Sequence, residues 1–211
     1  GDPNANFRLK TAIDKAREYN MPMDNIERAI KRGTGEIEGA TYEEITYEGF
    51  GPAGVAILVE TLTDNRNRTS ADMRSLFSRN GGNMGEAGSV GWMFERRGVL
   101  NVTGKNLDEE KLMEAAIDGG ADDLVPDGEE GYTVYCDPSV LSEVKETLKA
   151  KGYEVGVTEV SMVPKNSVEI SKKEDAARVL RLVEILEDHD DVQNVYGNFD
   201  IPDEVMEAIA G

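Results

Sequence analysis

The polar segment Asp64–Thr69 carries the residue types in this chain that are best suited to binding phosphate. It reads Asp-Asn-Arg-Asn-Arg-Thr and opens a stretch with helical spacing. Arginine forms paired hydrogen bonds to phosphate, and the backbone N–H groups of a first helical turn also attract anions. Two interpretations stay open: a nucleic-acid or ribosome contact, or surface arginines paired with acids such as Asp64 and Asp72. Because exposed charges contribute little to folding, reversing Arg66 and Arg68 is expected to leave stability nearly unchanged.

Other basic residues extend the same hypothesis. Arg74 and Arg79 lie five positions apart, which places them about 140° apart around a helix, on either side of its polar face. Arg96-Arg97 ends the next apolar run, and Lys31-Arg32 closes an earlier helical stretch, where the helix dipole alone would favour cations. The predicted nucleic-acid-binding residues are Lys31, Arg32, Arg66, Arg68, Arg74, Arg79, Arg96 and Arg97.

The residues needed for a catalytic or metal centre are scarce. The single histidine, His189, sits in the acidic run Glu187–Asp191 at the end of a predicted helix, and the single cysteine is Cys136. Zinc sites need more histidine or cysteine than this, and Cys136 has no basic neighbour in its strand to activate it. The sequence predicts a solvated His189, no catalytic residue, no metal and no cofactor, and so a protein that is not an enzyme.

The glycine-rich stretch Gly81–Gly88 resembles a nucleotide-binding loop only superficially. A dinucleotide-binding loop follows a strand and opens a helix, whereas this stretch follows a helix and precedes an apolar run. It also lacks the Gly-Lys-Ser/Thr sequence of a phosphate-binding loop. We interpret it as a turn that needs positive φ angles, or as a flexible contact surface with Met84 at its tip.

The hydrophobic spacing changes along the chain from helical to alternating. The first 35 residues have apolar side chains at helical intervals on both sides of Pro22, which predicts a helical hairpin. Residues 98–163 follow the order βαββαβ. The flanking residues follow the same order if a strand at Val90–Phe94 shares a sheet with a strand at Val168–Ile170.

The sequence therefore predicts an α+β fold with a helical N-terminal domain and two ferredoxin-like domains, one inserted in the other. The helical domain is residues 1–40. One α+β domain is discontinuous, at 41–97 and 164–211, and the inserted one is 98–163. In the discontinuous domain Val55–Leu62 is expected to be a buried central strand, and Thr69 or Ser70 is expected to cap the following helix.

The charge is distributed unevenly. The formal net charge is −19, but residues 1–35 carry seven basic against five acidic side chains, whereas residues 101–211 carry ten against twenty-seven. The C-terminal half should repel phosphate, so any nucleic-acid contact is expected in the first half, with a protein partner for the acidic half. No apolar run reaches the roughly 18 residues of a membrane helix, and one cysteine fits a reducing compartment. These features predict a cytoplasmic monomer with no membrane or small-molecule partner.

Several longer motifs resemble those of the YebC/PmpR family. They are Asn20-Met21-Pro22, Asp24–Gly33, Tyr47-Glu48-Gly49, Thr63–Thr69, Gly81-Gly82-Asn83, Phe94-Glu95-Arg96 and Asp191–Val195. The resemblance covers essentially the whole chain, with the motifs in order.

This resemblance implies a three-domain protein without known catalytic activity. Bacterial members are described as transcriptional regulators that bind DNA, or as ribosome-associated translation factors. The mitochondrial relative is a translational activator for a cytochrome oxidase subunit. Members usually begin with a basic helical segment that precedes the residues seen here. The expected partner is therefore DNA, or ribosomal or transfer RNA on the ribosome.

Overall fold

The computed structural model describes residues 1–39, 41–128 and 131–210. Helices and strands alternate irregularly along the chain. The helices are α1 Phe7–Glu18, α2 Met23–Gly33, α3 Arg66–Arg79, α4 Glu109–Asp118, α5 Leu141–Ala150, α6 Lys173–Glu187 and α7 Asp203–Ala210. The strands are β1 Glu43–Phe50, β2 Ala56–Thr63, β3 Asn83–Met84, β4 Phe94–Thr103, β5 Ala121–Pro126, β6 Gly131–Cys136, β7 Glu154–Pro164, β8 Val168–Glu169, β9 Val192–Gly197 and β10 Phe199–Asp200. N-terminal helices followed by antiparallel strand pairs confirm the predicted α+β class.

The chain forms two compact units, each built from two separate stretches. The first unit combines Gly1–Gly39 with Arg96–Ser161, and the second combines Ala40–Glu95 with Met162–Gly211. The division into three domains stays a prediction. Within the described residues, none of the helices has both the length and the apolar content required to span a bilayer.

The helices α1 and α2 form the predicted hairpin at the start of the first unit. Ile13 of α1 and Ile26 of α2 are buried. Helix α2 begins at Met23 with Pro22 at its N-cap, and Asp24 lies in its first turn, where a carboxylate suits the helix dipole.

The rest of the first unit has ferredoxin-like topology. Its sheet has the order β5-β6-β4-β7, the arrangement that the βαββαβ order predicts. Helices α4 and α5 cover one face. The core is formed by Leu100, Val102, Leu112, Ala115, Ala116, Ala121, Leu124, Val134, Cys136, Leu141, Val144 and Leu148.

The second unit is built on a sheet of order β3-β1-β2-β9. Strand β2 is central, pairs antiparallel with β1 and β9, and is buried along most of its length, as the apolar run Val55–Leu62 predicts. Helices α3 and α6 pack on one face of this sheet. The core on that face is Tyr47, Val55, Ile57, Val59, Met73, Phe77, Ile170, Ala176, Val179, Leu182 and Leu186. The sheet thus fixes α3, which carries the arginines of interest.

The prediction of a strand at Val90–Phe94 is wrong. Residues 91–93 form a short 3₁₀ turn, β4 starts only at Phe94, and β8 pairs with β10 in a separate two-stranded sheet. Val90 and Phe94 are buried because they pack with Ala56 and Leu58 on the second face of the β2 sheet. A short apolar run is compatible with a buried strand and with a buried turn, so the spacing alone could not identify the turn at this position.

Candidate nucleic-acid interface

Helix α3 begins at a strong N-cap. The side chain of Asn65 accepts a hydrogen bond from the backbone N–H of Arg68 at 3.1 Å. Asparagine caps helices as well as serine does. The expected caps, Thr69 and Ser70, lie inside the helix instead, and Thr69 is fully buried.

The Asp191 carboxylate holds the first turn of α3 in place. Arg68 Nη2 donates to both of its oxygens, at 2.8 and 3.0 Å. The hydroxyls of Thr69 and Thr63 donate to Oδ2 at 2.6 and 3.3 Å. Burial alone would raise the pKa of Asp191, but the bonds from Arg68, Thr69 and Thr63 outweigh it and lower the pKa.

Arg68 is therefore a structural arginine as well as a candidate contact. Its guanidinium also donates to Asp64 Oδ1 at 3.1 Å, while the Asp191 side chain is only 13% exposed. Reversing this charge would set three carboxylates against one another. The expectation that stability is insensitive to charge at Arg68 does not fit this geometry.

The solvent face of α3 carries the remaining arginines among small side chains. Arg66 lies 3.6 Å from Glu43, with both side chains largely exposed. Arg74 and Arg79 are exposed and make no ion pair within the described residues. The other exposed residues between Arg66 and Arg79 are small or polar, namely Asn67, Ala71 and Ser78, and Ser75 is half-buried. A phosphate backbone could approach this face closely.

His189 is not a solvated residue at a helix end. Its Nε2 lies 3.3 Å from Asp72 Oδ2, and its Nδ1 accepts the backbone N–H of Asp191 at 3.1 Å. It thus links α3 to the segment before β9. Across the described ranges, no group of three or more His, Cys, Asp or Glu side chains could hold a metal ion.

The other predicted basic residues lie in the first unit. Arg97 forms a close ion pair with Asp122, and its guanidinium sits 5.8 Å above the Tyr135 ring. Arg96 is exposed beside it in β4. Lys31 and Arg32 are exposed in the last turn of α2. These four residues and the four arginines of α3 belong to different units, so each group is considered by itself.

Cys136 is fully buried in the ferredoxin-like core. Desolvation, aided by the charge of Asp122, raises the pKa of its thiol to about 11. The group is a protonated thiol at neutral pH.

Glu48 anchors the glycine-rich loop, a role that the sequence did not predict. Its Oε1 accepts the N–H of Gly88 at 2.7 Å, and its Oε2 accepts those of Val90 and Gly91 at 2.7 and 2.6 Å. Gly88 has φ +86°, which suits glycine. The carboxylate thus fixes the glycine-rich loop. Nothing in the local sequence reveals this, because the partners are about 40 positions away.

We expect Glu48→Gln to lower the free energy of unfolding by about 1.5 kcal/mol at pH 7, because an amide offers one acceptor oxygen and turns a donor toward N–H groups. Burial raises the pKa of Glu48, but the three backbone bonds lower it below its ordinary value near 4.5. Its stabilising contribution is therefore present above pH 4.5 and is lost as the pH falls through the lowered pKa.

Urea unfolding at pH 7 and toward pH 3 checks this prediction. The difference between wild type and Glu48→Gln should shrink at the lower pH. Glu86→Gln, in the same loop but exposed, is the matched control and should change little. Equal effects of the two variants would contradict the anchoring role of Glu48.

Family models match nearly the whole chain. The model of the TACO1/YebC second and third domain matches residues 42–199, and that of the TACO1/YebC N-terminal domain matches residues 1–36. The chain belongs to the TACO1/YebC family. This confirms the family resemblance seen in the sequence.

Similar proteins of the TACO1/YebC family are named probable transcriptional regulatory proteins. A probable transcriptional regulatory protein of Geobacter sulfurreducens is 54% identical over 209 residues, covering 99% of this chain and 83% of that protein. One from Sulfurihydrogenibium sp. is 50% identical over 211 residues, covering 100% of this chain and 84% of the relative. The crystal structure of a conserved hypothetical protein from Aquifex aeolicus superposes with a TM-score of 0.83 at 46% identity, covering 97% of this chain and 84% of that one.

Proposed function

We propose that this protein is a non-enzymatic, cytoplasmic regulator of gene expression that binds nucleic acid through the solvent face of α3. The observation that carries the proposal is the charge of this one helix. It holds four arginines and one acid, in a protein whose formal net charge is −19. Isolated basic helices in acidic proteins are suited to a small, local phosphate contact.

The regulatory names of the relatives support the role, since the chain spans more than four fifths of their length. The residues Arg74 and Arg79 are the primary contacts in this proposal, because they are exposed and make no ion pair within the described residues. Arg66 joins them by releasing Glu43, and Arg68 contributes charge while it holds the helix terminus. Lys31, Arg32, Arg96 and Arg97 remain secondary candidates.

A ribosome-associated translation factor is the second candidate. The observation that favours it is the acidity of residues 101–211, which would repel an extended duplex. A contact with the ribosome can be small and supported by ribosomal proteins.

The salt dependence of binding tests the proposal. We expect the purified chain to bind labelled DNA duplex or single-stranded RNA with a log–log salt slope of roughly three to four, because each neutralised phosphate adds about 0.9 for duplex or 0.7 for single strands. Binding by anisotropy between 50 and 300 mM KCl measures this slope.

A slope near zero, or no binding to either probe at low salt, would contradict direct binding through the arginines of α3. Salt-sensitive co-sedimentation with ribosomes, without binding to either free probe, would favour the second candidate. A higher affinity for RNA than for duplex would do the same.

A further inference from the structure

Trp92 is a large aromatic side chain held on the surface of the second unit. It is the only tryptophan in the chain, and 66% of it is exposed. It follows Gly91 in the 3₁₀ turn that replaces the expected strand. Tryptophan is enriched at binding interfaces because it offers a large apolar ring with a polar edge, so the exposed ring is a candidate contact surface.

A hydrogen bond to the neighbouring backbone orients the indole ring. The indole Nε1–H donates to the carbonyl of Ser89 at 3.2 Å. Glu48 anchors the backbone on both sides of Ser89 through Gly88 and Val90. The platform therefore needs little reorganisation before it binds, which lowers the entropic cost of a contact.

Lys165 places a cation beside the backbone of Trp92. Its Nζ donates to the backbone carbonyl of Trp92 at 3.0 Å, and its own N–H donates to the carbonyl of Met93 at 2.9 Å. An ammonium has three donors, so two remain for a ligand. The side chain is exposed, and its charge can reach a phosphate next to the ring.

The residues around Trp92 are better suited to binding a single planar ring than to binding a protein partner. The preceding loop residues are small or polar, with glycines at positions 85, 88 and 91. A stable protein contact needs roughly 800 Å² on each side, with contacts around its anchor that exclude water. The only polar atom of the indole is already bonded to Ser89, which leaves its π surface as the recognition element.

We propose that Trp92 is a stacking platform for one unpaired base of a single-stranded nucleic acid, with Lys165 beside the adjoining phosphate. Bases in a duplex stack on their own neighbours, so only single strands, loops or ends can use this platform. The inference rests on the proposed nucleic-acid function and narrows the partner to an unpaired strand. Stacking tolerates any base, so we expect little sequence preference at this contact.

The tryptophan itself reports on the proposal, because no other indole contributes to the fluorescence. Titration with a 12-nucleotide oligo(A) RNA should quench Trp92 emission in parallel with the anisotropy of the labelled strand. Trp92→Ala should weaken binding of this strand at least about fivefold. Trp92→Phe should retain most of the affinity, and neither variant should change binding of a DNA duplex.

Tyr42→Ala is the matched control, since Tyr42 is another exposed aromatic in the second unit and should not matter. Binding without quenching, and with unchanged affinity in Trp92→Ala, would overturn the inference while the proposed function stands. Absence of binding to any strand would contradict both. If Trp92→Ala reduces co-sedimentation with ribosomes but not binding of protein-free RNA, Trp92 contacts a protein and the inference is wrong.

Discussion

Replacing both Arg74 and Arg79 by glutamate is expected to weaken nucleic-acid binding about 100-fold. Each arginine can form a charge-assisted hydrogen bond to phosphate worth about 1.5 kcal/mol, and two such bonds correspond to about 3 kcal/mol. Stability should change little, because both side chains are exposed and make no ion pair within the described residues. Anisotropy titrations of the double variant at constant salt measure the loss.

The matched control reverses two lysines of the same unit. Lys172 and Lys173 are exposed at the start of α6, where acidic side chains suit the helix dipole. Lys172→Glu with Lys173→Glu should leave binding nearly unchanged. Equal losses in the two double variants would indicate a general charge effect, and the assignment of the contact to α3 would be wrong.

Asp191→Ala is expected to lower the free energy of unfolding by about 2 to 3 kcal/mol. The change removes one of the two carboxylates that accept from Arg68 and leaves the hydroxyls of Thr63 and Thr69 short of partners where both residues are fully buried. Part of the loss is recovered, because the Thr69 hydroxyl, freed from Asp191, can donate instead to that of Thr63, 2.8 Å away. Urea unfolding at pH 7 measures the effect.

Asp190→Ala is the control for this prediction. Asp190 is the neighbouring acid and is exposed, so its removal should change stability by less than about 0.5 kcal/mol. A similar cost for both variants would mean that Asp191 contributes only as one of many surface charges. Because the pKa of Asp191 is lowered, its contribution is present above its ordinary pKa near 3.8 and disappears as the pH falls through the lowered value.

The parts of the fold that depend on local spacing could be predicted from the sequence. In α6 the buried residues Ala176, Val179, Leu182 and Leu186 recur at helical spacing. The run at β2 gave the central strand, and the βαββαβ order gave the ferredoxin-like sheet. These patterns repeat every two or 3.6 residues and need no knowledge of distant partners.

The site details depend on partners far apart in the sequence. Arg68 and Asp191 are separated by 123 positions, and Gly88 and Glu48 by 40. Hydrophobic periodicity carries no information about such pairs. The sequence therefore does not distinguish an arginine that stabilises the fold from one that binds nucleic acid. Trp92 was missed for a related reason, because its exposure follows from the loop anchor and not from its own neighbours.

The pairing of β2 with β9 has a consequence for synthesis on the ribosome. The central strand and the first turn of α3 are both completed by residues near position 191, after the ferredoxin-like block has already emerged. That block can fold while the sheet of the second unit still lacks a strand. The arginine helix therefore reaches its final setting only after residues 191–197 have been synthesised.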